Sequence, residues 1–220
     1  MDELKNVREI IFDCDGVIID SIASKTDTVV ELLSPLTEDE EKQIRLFHQE
    51  HPGIHRSSLF RHCRENILNQ PASDQEVQTL CDQFNQRVSS FMPELPLVDG
   101  LESFLREFED RFIFHVVSGA PQQELEDILR KQGIADFFDV ISGSPPEKPE
   151  RAASILDRSA NNHSHFLLIG DAQEDLEVAE HIEAPMIFRP STDKISIDSP
   201  SIAGEISNFY QLADQLRSLD

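Results

Sequence analysis

The sequence predicts an α/β protein with a Rossmann-like parallel sheet core and a helical cap domain inserted after the first strand. Three observations predict this fold. A strand pattern opens the chain, helical patterns alone occupy residues 21–94, and strand patterns then alternate with helical ones over residues 95–220. Such alternation favours right-handed crossovers between parallel strands. We therefore expect an α/β core of residues 1–20 and 95–220 and a helical cap of residues 21–94.

The first elements follow from apolar periodicity and from helix capping. Residues 7–13 (VREIIFD) are rich in β-branched residues and lead into an Asp-Gly turn, which is typical of a buried strand. Thr37 with Glu40 predicts the start of a helix in the cap, because this pairing is a capping box. Ser73 with Glu76 predicts the start of a second, longer helix in the same way.

In the second half of the chain, predicted strands alternate with predicted helices. Residues 92–100 contain prolines and a glycine and indicate a linker, and residues 101–108 carry a helical apolar stripe. Strands are predicted at residues 112–117, 137–142, 165–170 and 185–188. Helices are predicted at residues 121–133, about 149–159 and about 173–183, with Ser207 as the N-cap of a last helix.

Charge and cysteine content limit the possible partners and the compartment. Lys and Arg number 19 and Asp and Glu number 42, so the formal net charge is −23. Such a surface repels phosphate backbones and anionic lipids, and we expect neither nucleic acid nor membrane partners. The three scattered cysteines lack metal-ligand spacing and indicate a reducing compartment, so we expect a cytoplasmic protein. No signal peptide or membrane-spanning stretch is expected, and the oligomeric state stays open.

Polar residues follow the carboxyl ends of four predicted strands. They are Asp13 and Asp15, Ser118 and Gly119, Lys148 after a short loop, and Asp171 and Asp175. The ligand crevice of an open parallel sheet lies outside these strand ends, so we expect the residues to converge. Converging carboxylates repel each other unless a cation lies between them. Oxygen ligands with water and phosphate suit Mg²⁺.

Each segment taken alone also has a simpler interpretation. Asp13 and Asp15 could close a strand at an ordinary Asp-Gly turn. Asp171 could be an N-cap, and Asp175 could be an acid in the first turn that the helix dipole stabilises. Ser118 could likewise be a plain N-cap instead of part of an anion seat at a helix start.

Four motifs resemble those of the haloacid dehalogenase superfamily of phosphatases and phosphomutases. FDCDGVIIDS (12–21) looks like the first motif, and VVSGA (116–120) like the second. Lys148-Pro149 resembles the third motif and LLIGDAQED (167–175) the fourth. The helical segment after the first motif is similar to the cap of the phosphoglycolate phosphatase and β-phosphoglucomutase branch.

The resemblance implies an Mg²⁺-dependent phosphohydrolase that cleaves a small phosphorylated metabolite, such as a sugar phosphate or a phosphoglycolate-like compound. Asp13 would be the nucleophile that forms an aspartyl-phosphate, and Asp15 the general acid and base. The phosphate would be held by Ser118, Gly119 and Lys148. The metal would be held by Asp13, the backbone carbonyl of Asp15, Asp171 and, directly or through water, Asp175.

The cap carries one further candidate. Residues 53–56 resemble a substrate-facing loop of the phosphoglucomutase branch, so Arg56 is expected to face the substrate; the alternative is an exposed arginine at a helix start. A family of sugar-related hydrolases linked with surface polysaccharide genes has a similar sequence. It includes a lysine after the first motif, as Lys25 is here. Four histidines do not share one helix face and are expected to pack or to be solvated, namely His48, His51, His55 and His62.

Two alternative functions stay open. A phosphomutase uses the same four motifs. A non-catalytic phospho-receiver also combines an acidic pocket with Ser or Thr and Lys, but it places its acceptor Asp after the third strand. Here the candidate acceptor, Asp13, follows the first strand and a large helical segment comes next, which argues against a receiver. The acid at Asp15 argues against a dehalogenase, because a halide leaves without a proton.

Overall fold

The computed structural model describes residues 2–159, 165–192 and 196–218. Its strands are β1 (Glu9–Phe12), β2 (Ile113–Pro121), β3 (Phe138–Ser144), β4 (Phe166–Gly170), β5 (Met186–Phe188) and β6 (Ile202–Glu205). They form one parallel sheet of six strands in the order β3-β2-β1-β4-β5-β6. The α/β fold with a parallel sheet is therefore confirmed, and the five predicted strands are present.

The helices of the described residues lie where the sequence patterns indicate them. They are α1 (Ile22–Leu33), α2 (Glu38–Glu50), α3 (Arg56–His62), α4 (Asp74–Phe91), α5 (Leu101–Phe108), α6 (Gln122–Lys131), α7 (Lys148–Arg158), α8 (Gln173–His181) and α9 (Phe209–Arg217). Both predicted capping boxes form. Thr37 and Ser73 accept from the backbone N–H of the glutamate three residues on, and that glutamate accepts from their own N–H.

Three local expectations were wrong. Strand β6 was not predicted, because Ile-Ala-Gly-Glu offers little β-branched character and forms a partly exposed edge. The last helix is capped by Asn208, whose side chain accepts from the Gln211 N–H at 3.1 Å, and not by Ser207. Pro121 is the last residue of β2, so α6 begins one residue later than expected.

The two faces of the sheet bury alternate side chains of each strand. Ile10 and Phe12 of β1 face one side, where α5, α6 and α9 cover the sheet. Ile11 faces the other side, where α7 and α8 pack. The central strands β1 and β4 are buried on both faces, which explains why they are apolar without polar alternation, apart from the buried Glu9 at the start of β1.

The helical segment leaves and rejoins the sheet layer at neighbouring points. Ile19 pairs with Leu97 in a short antiparallel bridge, and the Asp20 N–H donates to the Pro96 carbonyl at 3.0 Å. Helices α1 to α4 pack on one another between these two points. Their apolar side chains, such as Val29 and Phe60, join the cluster on the first face of the sheet. The division into a core and a cap at the stated boundaries stays a prediction.

None of the described helices combines the length and the apolar character needed to cross a membrane.

Phe104 on α5 tests the packing of the first face. Its ring is fully buried, and its centroid lies 5.4 Å from that of Phe209 and 6.0 Å from that of Phe114. Phe104→Ala should lower the free energy of unfolding by about 3–5 kcal/mol, because the lost ring leaves a cavity. Urea unfolding measures this. Tyr210→Ala, at a side chain that is 58% exposed, is the control; an equal loss there would contradict the assignment of the core.

Candidate functional site

The strand order reverses at β1, and the candidate residues lie at that point. β1 pairs with β2 on one side and with β4 on the other, so the chain winds outward in both directions from it. Asp13 follows β1 directly, and its N–H donates to the Ile169 carbonyl at 2.9 Å. Asp171 follows β4 directly. A crevice between diverging crossovers at the carboxyl ends of the strands is the common ligand site of such sheets.

Three buried carboxylates meet in this crevice. Asp13, Asp171 and Asp175 each offer one oxygen, and these oxygens all lie within 4.8 Å of one another. Lys148, the first residue of α7, donates from Nζ to Oδ1 of Asp13 and to Oδ1 of Asp175, at 2.6 Å each. The structure thus brings together four of the predicted site residues. One ammonium group faces three carboxylates.

The excess of negative charge shifts the acid–base equilibria of the cluster. Burial raises the pKa of Asp13 to about 7; Lys148 opposes this rise, and the neighbouring carboxylates of Asp175 and Asp15 add to it. Burial, followed by repulsion from Asp175 and Asp13, raises the pKa of Asp171 well above its ordinary value. Burial disfavours the charged form of Lys148, but its carboxylate partners hold its pKa well above the usual range. The cluster therefore favours the uptake of positive charge.

The donor set fits a hard divalent cation. Oδ2 of Asp171 is buried and has no hydrogen-bond partner among the described residues. Gly16 lies against this oxygen: it has φ +76°, and a Cβ there would lie 2.2 Å from it. All the available ligand atoms are oxygens, which Mg²⁺ binds at about 2.0–2.1 Å. Asp13 and Asp171 are the residues best placed to hold such an ion.

Asp175 plays a different part in the cluster. Its Oδ2 accepts from the backbone N–H groups of Asp171 and Ala172, at 3.0 and 3.1 Å, while Oδ1 accepts from Lys148. The N-cap position of α8 is Ala172, so the simpler interpretation of Asp171 as an N-cap is wrong. Asp175 anchors the turn that presents Asp171, and its predicted contact with a metal stays a prediction.

The Asp15 carboxylate points away from this cluster. Lys25 Nζ lies 2.5 Å from its Oδ1, and the Ser21 hydroxyl donates to the same oxygen at 2.8 Å. Burial would raise the pKa of Asp15, but Lys25, Ser21 and Arg56 together hold it below its ordinary value. The side chain of Asp15 is therefore not among the clustered oxygens, and metal binding through its carbonyl stays a prediction.

The carboxyl end of β2, which extends further than predicted and includes Ser118 and Gly119, borders the site without presenting every predicted group to it. Gly119 and Ala120 line the cleft in front of the carboxylates. Ser118 is fully buried, is absent from that lining, and its hydroxyl accepts from the Ala120 N–H at 3.2 Å. Its carbonyl accepts from Arg151, which ties the end of β2 to α7. Phosphate binding by Ser118 and Gly119 stays a prediction.

A cleft of about 390 Å³ separates the carboxylates from the helical segment. The helical segment lines it with Lys25, His48, Pro52, Gly53, Ile54, His55, Arg56, Leu59 and Phe84. Arg56 lies there as expected. Its Nη1 donates to Oδ1 of Asn85 at 2.7 Å, and its guanidinium carbon lies 5.6 Å from the centroid of the Phe84 ring. These contacts are with a neutral amide and a ring, and the charge of Arg56 helps to lower the pKa of Asp15 across the cleft lining.

Several residues in or beside the cleft were not predicted as site residues. Glu174, within the fourth motif, and Glu147, outside the four motifs, border the cleft from the core side. Arg189 donates to the Gly16 carbonyl from beyond the fourth motif. Lys25 appeared in the sequence only through a resemblance. The contact of Arg189 joins segments far apart in the chain, and local patterns carry no signal for it.

Two of the four histidines of the helical segment pack against neighbours, and the other two, His51 and His55, are exposed. His48 is buried, and its Nδ1 lies 2.7 Å from the Thr26 hydroxyl. The His62 ring stacks on Phe47, with 3.7 Å between the centroids. Among the described residues, none of the four histidines belongs to a cluster of possible metal ligands.

Comparisons with known proteins agree with this geometry. Residues 10–188 match the model of a protein family described as haloacid dehalogenase-like hydrolase. A phosphoglycolate phosphatase from Vibrio cholerae serotype O1 is 26% identical over 192 residues, which cover 81% of this chain and 82% of that relative.

Solved structures share the fold. A predicted phosphoglycolate phosphatase from Haemophilus somnus 129pt superposes with a TM-score of 0.79 at 16% identity, covering 96% of this chain and 98% of that one. The HAD-hydrolase YfnB from Bacillus subtilis, bound to magnesium, superposes with a TM-score of 0.71 at 20% identity, covering 96% and 99%. At these identities the likeness concerns the fold alone.

His48 gives the wall of the cleft a defined pH dependence. Burial and the nearby charge of Lys25 lower its pKa to about 4 from 6.5. Between these values the unfolded chain takes up a proton that the folded chain refuses, so stability falls as the pH falls. His48→Gln should remove this part of the slope in urea unfolding at a series of pH values, with His181→Gln at an exposed position as control. Identical slopes for wild type and His48→Gln would contradict the burial of a neutral imidazole.

Proposed function

We propose a specific reaction for this chain, which belongs to the haloacid dehalogenase-like hydrolase family and is a phosphoric monoester hydrolase. It cleaves a small phosphomonoester, a sugar phosphate or a phosphoglycolate-like compound, through an aspartyl-phosphate on Asp13. The observation that carries the proposal is that two carboxylates line one cleft and are held by different cations. Asp13 lies in the buried cluster with Lys148, and Asp15 faces the helical segment.

The reaction divides between these two side chains. A carboxylate oxygen of Asp13 forms a bond to phosphorus as the bond to the leaving oxygen breaks, and Asp15 in its protonated form gives a proton to that oxygen and becomes a carboxylate. Asp15 then takes a proton from the water that hydrolyses the aspartyl-phosphate. Lys148, Gly119 and Ser118 hold the oxygens of the transferred group, where charge has to be neutralised.

The cluster also supports a metal requirement. Asp13 and Asp171 would hold Mg²⁺, with the Asp15 carbonyl and Asp175 as further ligands of the proposal. When bound, the ion supplies positive charge against the phosphoryl oxygens and the carboxylates. The unpartnered Oδ2 of Asp171 and the raised pKa values of Asp13 and Asp171 support it, because both indicate missing positive charge.

The size and the lining of the cleft support the proposal of a small, polar substrate. About 390 Å³ is near the lower end of the range of small-molecule sites. Arg56 would contact a polar or anionic part of the leaving group of the substrate. The names of curated relatives, phosphoglycolate phosphatases at 24–26% identity, support the same class of substrate. The three cysteines are free and buried, which supports the proposed cytoplasmic location.

Asp13→Asn tests the nucleophile. Hydrolysis of para-nitrophenyl phosphate with Mg²⁺ should fall by about a thousandfold or more, because the covalent step is lost. Asp139→Asn, at an exposed position on β3, should keep wild-type activity. Residual turnover of Asp13→Asn above a tenth of wild type would overturn the assignment. A screen of sugar phosphates, phosphoglycolate and nucleotides then identifies the substrate, and a strict dependence on a bisphosphate would indicate a phosphomutase instead.

Asp171→Asn separates metal binding from folding. In EDTA the variant should be as stable as wild type or more stable, because one buried, repelling charge is removed. Mg²⁺ at a hundred times its dissociation constant should stabilise wild type by about 2.7 kcal/mol. The variant should lose most of this gain and most of the activity. Thermal melts with EDTA and with excess Mg²⁺ measure both effects, and Asp139→Asn is again the control. A full metal-induced shift in Asp171→Asn would refute the site.

Arg56→Ala tests the substrate side of the cleft. KM for the substrate found in the screen should rise about tenfold or more, because a charge-assisted hydrogen bond is lost. KM for para-nitrophenyl phosphate should change much less. Arg61→Ala, on the same helix with its guanidinium on Asp74, should leave both values unchanged. A change confined to thermal stability would support the alternative of a structural arginine.

A further inference from the structure

Lys25 is a buried lysine that no motif explains. It lies in the first turns of α1, is 8% exposed, and lines the cleft. Lysines are almost never fully buried unless they are paired, because an ammonium group loses its hydration there. The partner of Lys25 therefore indicates what the residue does.

That partner is Asp15. Lys25 Nζ lies 2.5 Å from Oδ1 of Asp15, and the Ser21 hydroxyl donates to the same oxygen at 2.8 Å. Among the described residues, Lys25 makes no ion pair with another carboxylate. His48, the other polar side chain close to it in the cleft, is buried and bonded to Thr26. The arrangement is specific to Asp15.

The two reacting carboxylates are thus held by different cations from different parts of the chain. Lys148 of the sheet layer holds Asp13, and Lys25 of the helical segment holds Asp15. Asp15 would otherwise have one neutral hydroxyl to orient it. A misplacement of about 1 Å in a reacting group can cost about a hundredfold in rate.

We infer that Lys25 is a positioning residue that holds the Asp15 carboxylate on the leaving-group side of the cleft. The inference rests on the proposed function, because it assigns Asp15 to proton transfer. Because Lys25 acts through Asp15, removing Lys25 should slow the reaction most for substrates whose leaving oxygen needs a proton. An alkyl leaving group needs that proton much more than an aryl one.

The experiment compares two leaving groups in Lys25→Met. For glycerol phosphate, kcat should fall about 10- to 100-fold, and for para-nitrophenyl phosphate by less than about threefold. Lys25→Arg should recover part of the loss, since a cation returns. Lys42→Met, the same change at an exposed position on α2, is the control and should behave as wild type. Equal losses on both substrates, or no loss, would overturn the inference.

A double-mutant cycle with Asp15→Asn decides the route of the effect. If Lys25 acts through Asp15, Lys25→Met should cost no further activity in the Asp15→Asn background. A full further loss there, or a rise in KM, would mean that Lys25 supports the fold or contacts the substrate directly, and the inference would be wrong. Thermal melts check each variant. If Lys25→Met does not fold, Ser21→Ala should shift the alkyl-to-aryl ratio in the same direction, and an unchanged ratio would count against the inference.

Failure of the inference is distinguishable from failure of the proposed function. If wild type hydrolyses both esters and Asp15→Asn damages the alkyl ester more, the proposed function stands whatever Lys25→Met does. If wild type hydrolyses neither ester, the result contradicts the proposed function itself.

Discussion

The crowding of three buried carboxylates around one lysine is the interaction on which the rest of this structure depends. Asp13 and Asp171 follow two adjacent strands and Asp175 lies in the first turn of α8, while Lys148 donates to Asp13 and Asp175. Burial of like charges is unfavourable unless cations or protons compensate it. The parallel sheet imposes this arrangement, because β1 and β4 are hydrogen-bonded neighbours and end at the same edge. Stability given up at this edge is balanced by the apolar layers on both faces of the sheet.

The carboxylates can lie this close together only because the backbone around them also lies close to them. A Cβ at Gly16 would lie 2.2 Å from Oδ2 of Asp171, and a Cβ at Gly170 would lie 2.2 Å from Cβ of Asp175. Any larger residue would push the carboxylates apart. The two glycines therefore belong to the site as much as the acids do. A positive φ at Gly16 also turns the chain sharply from β1 toward the helical segment.

The cleft separates two kinds of electrostatic environment in a strongly acidic chain. On the core side the carboxylates outnumber the cations, and on the helical side Lys25 and Arg56 supply positive charge beside a buried, neutral His48. Asp15 belongs to the sheet layer by sequence but is held by the helical side. An anionic substrate enters a protein with a net charge of −23 only where such cations are placed locally. The helical segment therefore contributes to the electrostatics of the site as well as covering it.

The sequence by itself determined the α/β class, the five strands β1 to β5, both capping boxes and the convergence of Asp13, Asp171, Asp175 and Lys148. These follow from periodicity, local capping chemistry and the rule that parallel strands end together, and all of them are local or topological signals. The tertiary structure alone decided the edge strand β6, the direction of the Asp15 carboxylate, the buried position of Ser118 and the pairing of Lys25. Strand β6 depends on its pairing with β5, and the buried position of Ser118 on the packing of α7 against β2. Asp15 and Lys25 are near in the chain, but their pairing is settled only once α1 is packed against the end of β1, because burial, charge and available donors compete there.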